Sequence, residues 1–115
     1  MRVRDPAAFL FDALAAAQAI ERFLSGCPFP RYEADEMLRS AVERQFEILG
    51  ESLSRALKAD PGLAQCLPDA PRVIAFRNVL AHDYDAVVDE TVFAVATFDL
   101  PLLAKQLQGL LKDVS

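Results

Sequence analysis

The sequence has few of the residues that build metal centres or disulfide frameworks. Among its 115 residues there are two cysteines, one histidine and no tryptophan. Cys27 and Cys66 lie far apart and have no paired spacing with the histidine, whereas zinc sites and disulfide scaffolds need several closely spaced ligands. We therefore expect reduced thiols, no metal site and no cofactor.

The sequence also lacks long apolar runs and an excess of positive charge. Charged residues interrupt every apolar run well before the ~18 residues that can span a bilayer, and Asp5-Pro6 follows the first four residues where a secretory signal would have its apolar segment. We predict a cytoplasmic protein without membrane contact. Because the net charge is −5 and non-specific nucleic-acid affinity needs many Lys and Arg contacts to phosphate, any RNA contact should be local.

Apolar residues at helical spacing are abundant. They make up 53% of the chain, which is enough for one core, with some surface left to bury between subunits. The three- and four-residue spacing, without strand alternation, predicts an all-α fold in a single domain over residues 1–115. The expected architecture is an antiparallel bundle of four main helices.

The predicted helix boundaries follow from capping residues, proline and glycine. The first helix should begin at Asp5-Pro6 and end near Gly26, and a long second helix should cover about residues 32–59. Residues 60–71 carry three prolines and are predicted as the principal loop, after which a third helix ends near His82 or Asp83. Gly50 suggests a close helix crossing.

The last helix should begin with Asp89 as its capping residue, and its apolar spacing continues past Pro101. A proline inside a helix lacks the N–H group and crowds the preceding turn. We therefore expect the last helix to be kinked, or to shift its hydrogen bonding, near this residue.

The segment 77–84 is the strongest candidate for chemistry. It holds the histidine of the chain, His82, together with Arg77, Asn78 and Tyr84. Asn78 and His82 are four residues apart and share a helix face, so the amide could orient the imidazole. Arg77 and His82 are about 140° apart around an ideal helix and about 7.5 Å apart along it, and the long arginine side chain could still reach the histidine at a helix end.

These side chains suit phosphate chemistry. Arginine offers a planar fork to phosphate oxygens, and histidine titrates near neutral pH. A base that activates the 2′-OH of RNA and a cation that stabilises the negative phosphorane suffice for metal-free strand scission. One histidine per chain is awkward if both an acid and a base are needed, and a two-fold dimer would bring two to one cleft.

Structural interpretations of the same residues remain open. A single histidine near a helix end is often a capping residue, an isolated arginine often forms a surface ion pair, and Tyr84 by itself is typical of a core edge. The row Arg44, Glu47, Glu51 and Arg55 is typical of a solvated helix face with a Glu51–Arg55 pair, although Arg44 or Glu51 could border a cleft.

Four residues separate Arg77 from His82, and one residue separates His82 from Tyr84. This order resembles the signature of HepT toxins, which belong to the HEPN superfamily of small α-helical ribonuclease domains. Further resemblance lies in residues 41–44 and 48–51, in residues 76–84 and in residues 99–103 around Pro101. It extends from about residue 5 to 110.

The resemblance implies the toxin of a type II toxin–antitoxin pair, a homodimer that cuts RNA without a metal. Arg77 and His82 would be catalytic, and Asn78 would support them. The implied partner is a minimal nucleotidyltransferase antitoxin that attaches AMP to Tyr84, placing bulk and negative charge beside the site. The alternative is a non-catalytic helical module that docks this nucleotidyltransferase and serves as its substrate.

Overall fold

The computed structural model describes residues 5–82 and 88–114, and this part of the chain is helical without strands. The α-helices are α1 (Pro6–Leu24), α2 (Phe29–Ala34), α3 (Glu36–Ala59), α4 (Ala70–His82), α5 (Asp89–Ala94) and α6 (Leu100–Val114). A short 3₁₀ helix, Pro61–Gln65, precedes α4, and a π-helical segment, Val95–Asp99, joins α5 to α6. The predicted all-α bundle is confirmed, with α1, α3, α4 and α6 as its long helices.

The predicted second helix is wrong at its start, because the structure divides it into α2 and α3. Asp35 lies at the break with an extended backbone, and its carboxylate accepts a hydrogen bond of 3.0 Å from the backbone N–H of Leu38. This bond satisfies one of the N–H groups that a helix start leaves without a partner. No glycine or proline marks the break, so apolar spacing alone does not reveal it.

Two other boundaries differ from the sequence prediction. The loop expected over residues 60–71 contains the Pro61–Gln65 helix, where the Asp60 carboxylate accepts the N–H of Gly62. The capping role predicted for Asp89 is also wrong, because Val88 occupies the cap position without a side-chain bond. Asp89 instead lies 3.9 Å from Arg39 of α3, measured from Oδ2 to Nε.

The π-helical segment ends two residues before Pro101, which agrees with the predicted shift in hydrogen bonding. Pro101 is the second residue of α6 and cannot donate a backbone N–H to the preceding turn. The wider π turn over Val95–Asp99 changes the hydrogen-bond partners at this point, which is how π turns are usually accommodated inside α-helices. The last helix therefore continues through the proline.

One hydrophobic core joins the long helices. Phe9 of α1 lines a surface depression with Lys58 of α3, while Phe23 and Met37 share another at the opposite end, so α1 and α3 are antiparallel. The larger side chains that are fully enclosed by this core are Leu10, Ile20, Tyr32, Val42, Phe46, Leu49, Leu53, Leu67, Val73, Leu100, Leu103 and Leu107. None of the described helices is long and apolar enough to cross a membrane.

The α3–α4 crossing fixes the position of the polar segment. Gly50 is buried there, and a Cβ atom built on it would lie 2.4 Å from Cβ of Arg77, well inside contact distance. The close crossing predicted at Gly50 is therefore confirmed. Its consequence is that Arg77 lies directly against the middle of α3.

Candidate active site at the α3–α4 crossing

Arg77 is held by its neighbours on α4 as well as by the glycine beneath it. The preceding residue, Phe76, packs edge-on against Phe46 of α3, with ring centroids 5.2 Å apart and an interplanar angle of 81°. Such aromatic pairs have a specific geometry, which fixes the rotation of α4 about its axis. The Arg77 side chain leaves the crossing with 29% of its surface exposed.

The guanidinium of Arg77 has a partner for each of its terminal nitrogens. Nη2 donates to Oε2 of Glu51 at 2.7 Å, and Nη1 donates to Oδ1 of Asn78 at 2.8 Å. Bonds between charged groups at this distance are among the stronger hydrogen bonds in proteins. The fork is thus oriented before any ligand arrives, while further N–H donors of the group remain for a phosphate.

Glu51 connects Arg77 to a second arginine. Its other oxygen, Oε1, accepts a hydrogen bond of 2.8 Å from Nε of Arg55. The Arg55 hydrogen bond and the nearby charge of Arg77 together lower the pKa of Glu51 below its ordinary value, and they outweigh the opposing effect of burial. Glu51 is therefore ionised at neutral pH and has no proton to donate, so its chemical contribution is to hold Arg77.

A cleft of about 250 Å³ opens beside these groups. Its walls are Arg44, Glu47, Ile48, Glu51, Ser52 and Arg77. Arg44 reaches Glu47 at 3.1 Å through Nη1 and is 68% exposed, whereas Ser52 is only 7% exposed. The cleft thus presents two guanidiniums beside two carboxylates and Ile48. The remaining N–H donors of the guanidiniums can bind the oxygens of a phosphate ester.

The structure brings two of the predicted site residues together and leaves the others outside its description. Arg77 and Asn78 are in contact, and the Asn78 amide oxygen accepts a hydrogen bond from the arginine. The predicted contact between Asn78 and the His82 imidazole lies outside the described residues. His82 is the last residue of α4, as expected, but its side chain lies outside the described residues. Tyr84 lies outside them entirely, so its predicted modification and the His82 contacts stay predictions.

Glu51 has both of the roles that its place in the sequence left open. The Glu51–Arg55 pair expected on a solvated face is confirmed, and Glu51 also borders the cleft, as the alternative interpretation suggested. Gly50 is the signal that favours the second role, because the residue after a glycine at a helix crossing is placed beside the crossing helix. Nothing in the pattern indicated Ser52.

Metal ligation has no support among the described side chains. Within residues 5–80 and 88–112, no three His, Cys, Asp or Glu side chains form a cluster suited to a metal ion. The predicted roles for Arg77 and His82 involve no metal, and the ion pairs described above account for the carboxylates of Glu47 and Glu51.

A second polar cluster lies away from the cleft, around Tyr32 of α2. Tyr32 is fully buried beside Phe29 and Phe93, and its hydroxyl has no hydrogen-bond partner within residues 5–82 and 88–114. Burial raises the pKa of Tyr32 well above its ordinary value, and the negative charges of Glu43 and Asp89 add to this effect. The phenol therefore stays neutral and is enclosed by packing.

Comparison with known proteins shows which proteins the chain is similar to. The family model described as "Ribonuclease HepT-like" matches residues 13–110. In Methanocaldococcus jannaschii, the protein named "Putative RNase MJ1380" is 29% identical over 110 residues, which is 94% of this chain and 98% of that protein. "Putative RNase MJ1216" of the same organism is 27% identical, covering 99% of this chain and 93% of its own length. No solved structure gives a significant match.

Proposed function

The chain belongs to the HepT-like ribonuclease family, and on that premise we propose that it is a metal-independent endoribonuclease, the toxin of a type II toxin–antitoxin system in the cytoplasm. The observation that carries the proposal is the guanidinium of Arg77, fixed by Glu51 and Asn78 at the wall of a cleft. Arg77 precedes His82, the final residue of the same helix, by five positions. The names of the relatives, which describe RNases, support the same activity.

The proposed reaction uses the RNA's own 2′-hydroxyl as the nucleophile. His82 takes the proton of the 2′-OH, the 2′-oxygen bonds to the adjacent phosphorus, and the bond to the 5′-oxygen breaks as that oxygen gains a proton. Arg77 stabilises the additional negative charge of the phosphorane. Because Glu51 and Asn78 already orient the guanidinium, little ordering is needed at the transition state. The products are a 2′,3′-cyclic phosphate and a 5′-hydroxyl.

The proposed active unit is a homodimer of this single-domain chain. One histidine cannot be both base and acid in a single step, and a two-fold axis would supply the second from the partner subunit. Support comes from exposed apolar side chains: Val79, next to Asn78, is 39% exposed, while Phe98 and Leu102 are 78% and 53% exposed one helical turn apart. Surfaces of this kind are often buried between subunits.

The proposed control is adenylylation of Tyr84 by a minimal nucleotidyltransferase antitoxin. The phenolic oxygen would attack the α-phosphorus of ATP, forming AMP-tyrosine and releasing pyrophosphate. Tyr84 lies two residues beyond His82, so the adenylate would place bulk and negative charge next to the site and repel RNA. This proposal rests on the family resemblance of the segment.

The decisive experiment compares the purified chain with His82→Ala on single-stranded RNA in the presence of EDTA. Cleavage by the parent that yields cyclic phosphate ends, and loss of about 10²–10⁴-fold in the variant, are expected for a general base. Equal cleavage by His82→Ala would refute the catalytic assignment. A parent that cuts no RNA but gains AMP from the nucleotidyltransferase, with the gain lost in Tyr84→Phe, would be the non-catalytic substrate subunit instead.

A further inference from the structure

The positive charges of this acidic chain are concentrated beside the candidate site. The structure describes ten Lys and Arg residues, and four of them line two adjoining depressions that meet at Glu51. Arg44 and Arg77 lie in the first, and Arg55 and Lys58 lie in the second. Two carboxylates face these four cations, so the surface is positive on a chain whose net charge is −5.

One face of α3 carries three cations and Glu51. Residues 44, 51, 55 and 58 recur at seven-, four- and three-residue steps, which places them on one face of a helix. Arg77 of α4 joins this row at Glu51. From Arg44 to Arg55 the helix rises about 16 Å, which corresponds to roughly five nucleotides of a stacked strand at about 3.4 Å each.

The arginines of this row keep donors for a ligand. Arg55 meets Glu51 through Nε alone, and Arg44 meets Glu47 through Nη1, so other N–H groups of both guanidiniums are left for phosphate oxygens. Their side chains are 58% and 68% exposed. Exposed ion pairs of this type contribute little to stability, which leaves these side chains able to exchange partners.

We propose that Arg44, Arg55 and Lys58 form a path for the backbone of single-stranded RNA on both sides of the phosphate bound by Arg77. A single row of cations along one helix can follow one strand, and groups on both sides of Arg77 require nucleotides on both sides of the cut. The inference deepens the proposed ribonuclease function and rests on it. It also explains how an acidic chain can bind RNA through one local surface.

The test measures binding separately from cleavage. The probe is a mixed-sequence single-stranded RNA with 2′-O-methyl groups, which lacks the nucleophile, titrated by fluorescence anisotropy between about 50 and 200 mM salt. Arg44→Gln and Lys58→Gln are compared with Arg22→Gln and Lys105→Gln, which remove the same charges from surfaces outside both depressions. Circular dichroism melts confirm that each variant is folded.

Each path variant should lower the salt slope of log K by about 0.7 and weaken binding about five-fold near 100 mM salt, while the two controls match the parent. If the parent cuts RNA but the path variants bind it as well as the controls do, the path is overturned and the ribonuclease function is not. If the path variants bind RNA more weakly than the controls do but the parent cuts no RNA, the path is supported and catalysis is refuted. A parent that neither binds nor cuts RNA would refute both.

Discussion

The pKa values of two glutamates on α3 shift in opposite directions because the surroundings of the two side chains differ. Glu51 faces the cleft between Arg55 and Arg77, and these partners lower its pKa. Glu43, two helical turns earlier, is partly enclosed near Tyr32, and burial followed by the charge of Asp89 raises its pKa, although Arg39 opposes the shift. The same residue type on the same helix thus belongs to two different polar clusters.

The two clusters differ in how completely their polar groups are paired. At the cleft, every charged group has a partner of opposite sign within 3.1 Å and remains open to solvent. Around Tyr32, three aromatic rings pack on one another, and the buried hydroxyl has no partner in the part of the chain that the structure describes. Side chains of a paired and accessible cluster can leave their ion pairs to bind a ligand, whereas those of a closed cluster contribute to packing. Substitutions should therefore affect activity at the first and stability at the second.

In the comparison of the two clusters, the largest effect should come from Arg77→Gln, with Arg72→Gln on the same helix as its control. Arg77→Gln should reduce RNA cleavage by about 10²–10³-fold, as expected when a donor that stabilises transition-state charge is lost. Arg72 pairs with Asp99 at 3.6 Å outside the cleft and is 69% exposed, so its loss should leave cleavage near that of the parent. The measurement is the initial rate of cleavage in EDTA for both variants. Equal losses would mean that the cleft has no special role.

A smaller effect is expected from Gly50→Ala, with Gly109→Ala as its matched control. The new Cβ at residue 50 would meet Cβ of Arg77 at 2.4 Å, so the α3–α4 crossing must widen at a cost of about 1–3 kcal/mol. At Gly109 nothing lies within 4 Å of the new atom, and alanine should stabilise the helix by about 0.5–1 kcal/mol. Urea unfolding of both variants gives the free energies. Stabilisation by Gly50→Ala would contradict the close crossing.

The sequence predicted the parts of this site that depend on spacing and missed those that depend on contacts between helices. Helical periodicity and Gly50 indicated the bundle and the crossing, and the end of α4 at His82 was expected. The break at Asp35 depends on one side-chain bond to Leu38, which apolar spacing does not encode. Glu51 meets Arg77 across 26 positions of sequence, and only the packing of α4 on α3 brings that pair together.

At the closed cluster, Tyr32→Phe should stabilise the chain by up to about 1 kcal/mol, because it removes a buried hydroxyl that has no partner among the described residues. The ring contacts with Phe29 and Phe93 are retained. Urea unfolding provides the measurement, and RNA cleavage should stay unchanged because Tyr32 does not line the cleft. A destabilisation above about 1 kcal/mol would indicate that the hydroxyl is hydrogen-bonded after all.

The smallest and most specific effects concern the pH dependence of the two glutamates. The raised pKa of Glu43 means that its charged form opposes folding, so Glu43→Gln should stabilise the chain at about pH 7, and the gain should fade as the pH falls through that raised pKa. The lowered pKa of Glu51 has the opposite effect on stability. The charge of Glu51 favours folding above about pH 4.5, and this contribution is lost as the pH falls through the lowered pKa. Glu51→Gln should therefore destabilise the chain at neutral pH, and this loss should fade as the pH falls through the lowered pKa of Glu51.

Both changes should stay within about 0.5 kcal/mol, because solvent screens these partly exposed groups. Urea midpoints of the two variants and the parent are measured at about pH 7 and at successively lower pH. They separate the signs even at this size, since each variant is compared with the parent at the same pH. Variants that shift stability in the same direction at neutral pH would show that one of the two environments is wrongly described. Opposite shifts would confirm that pairing distinguishes the cleft from the closed cluster on the same helix.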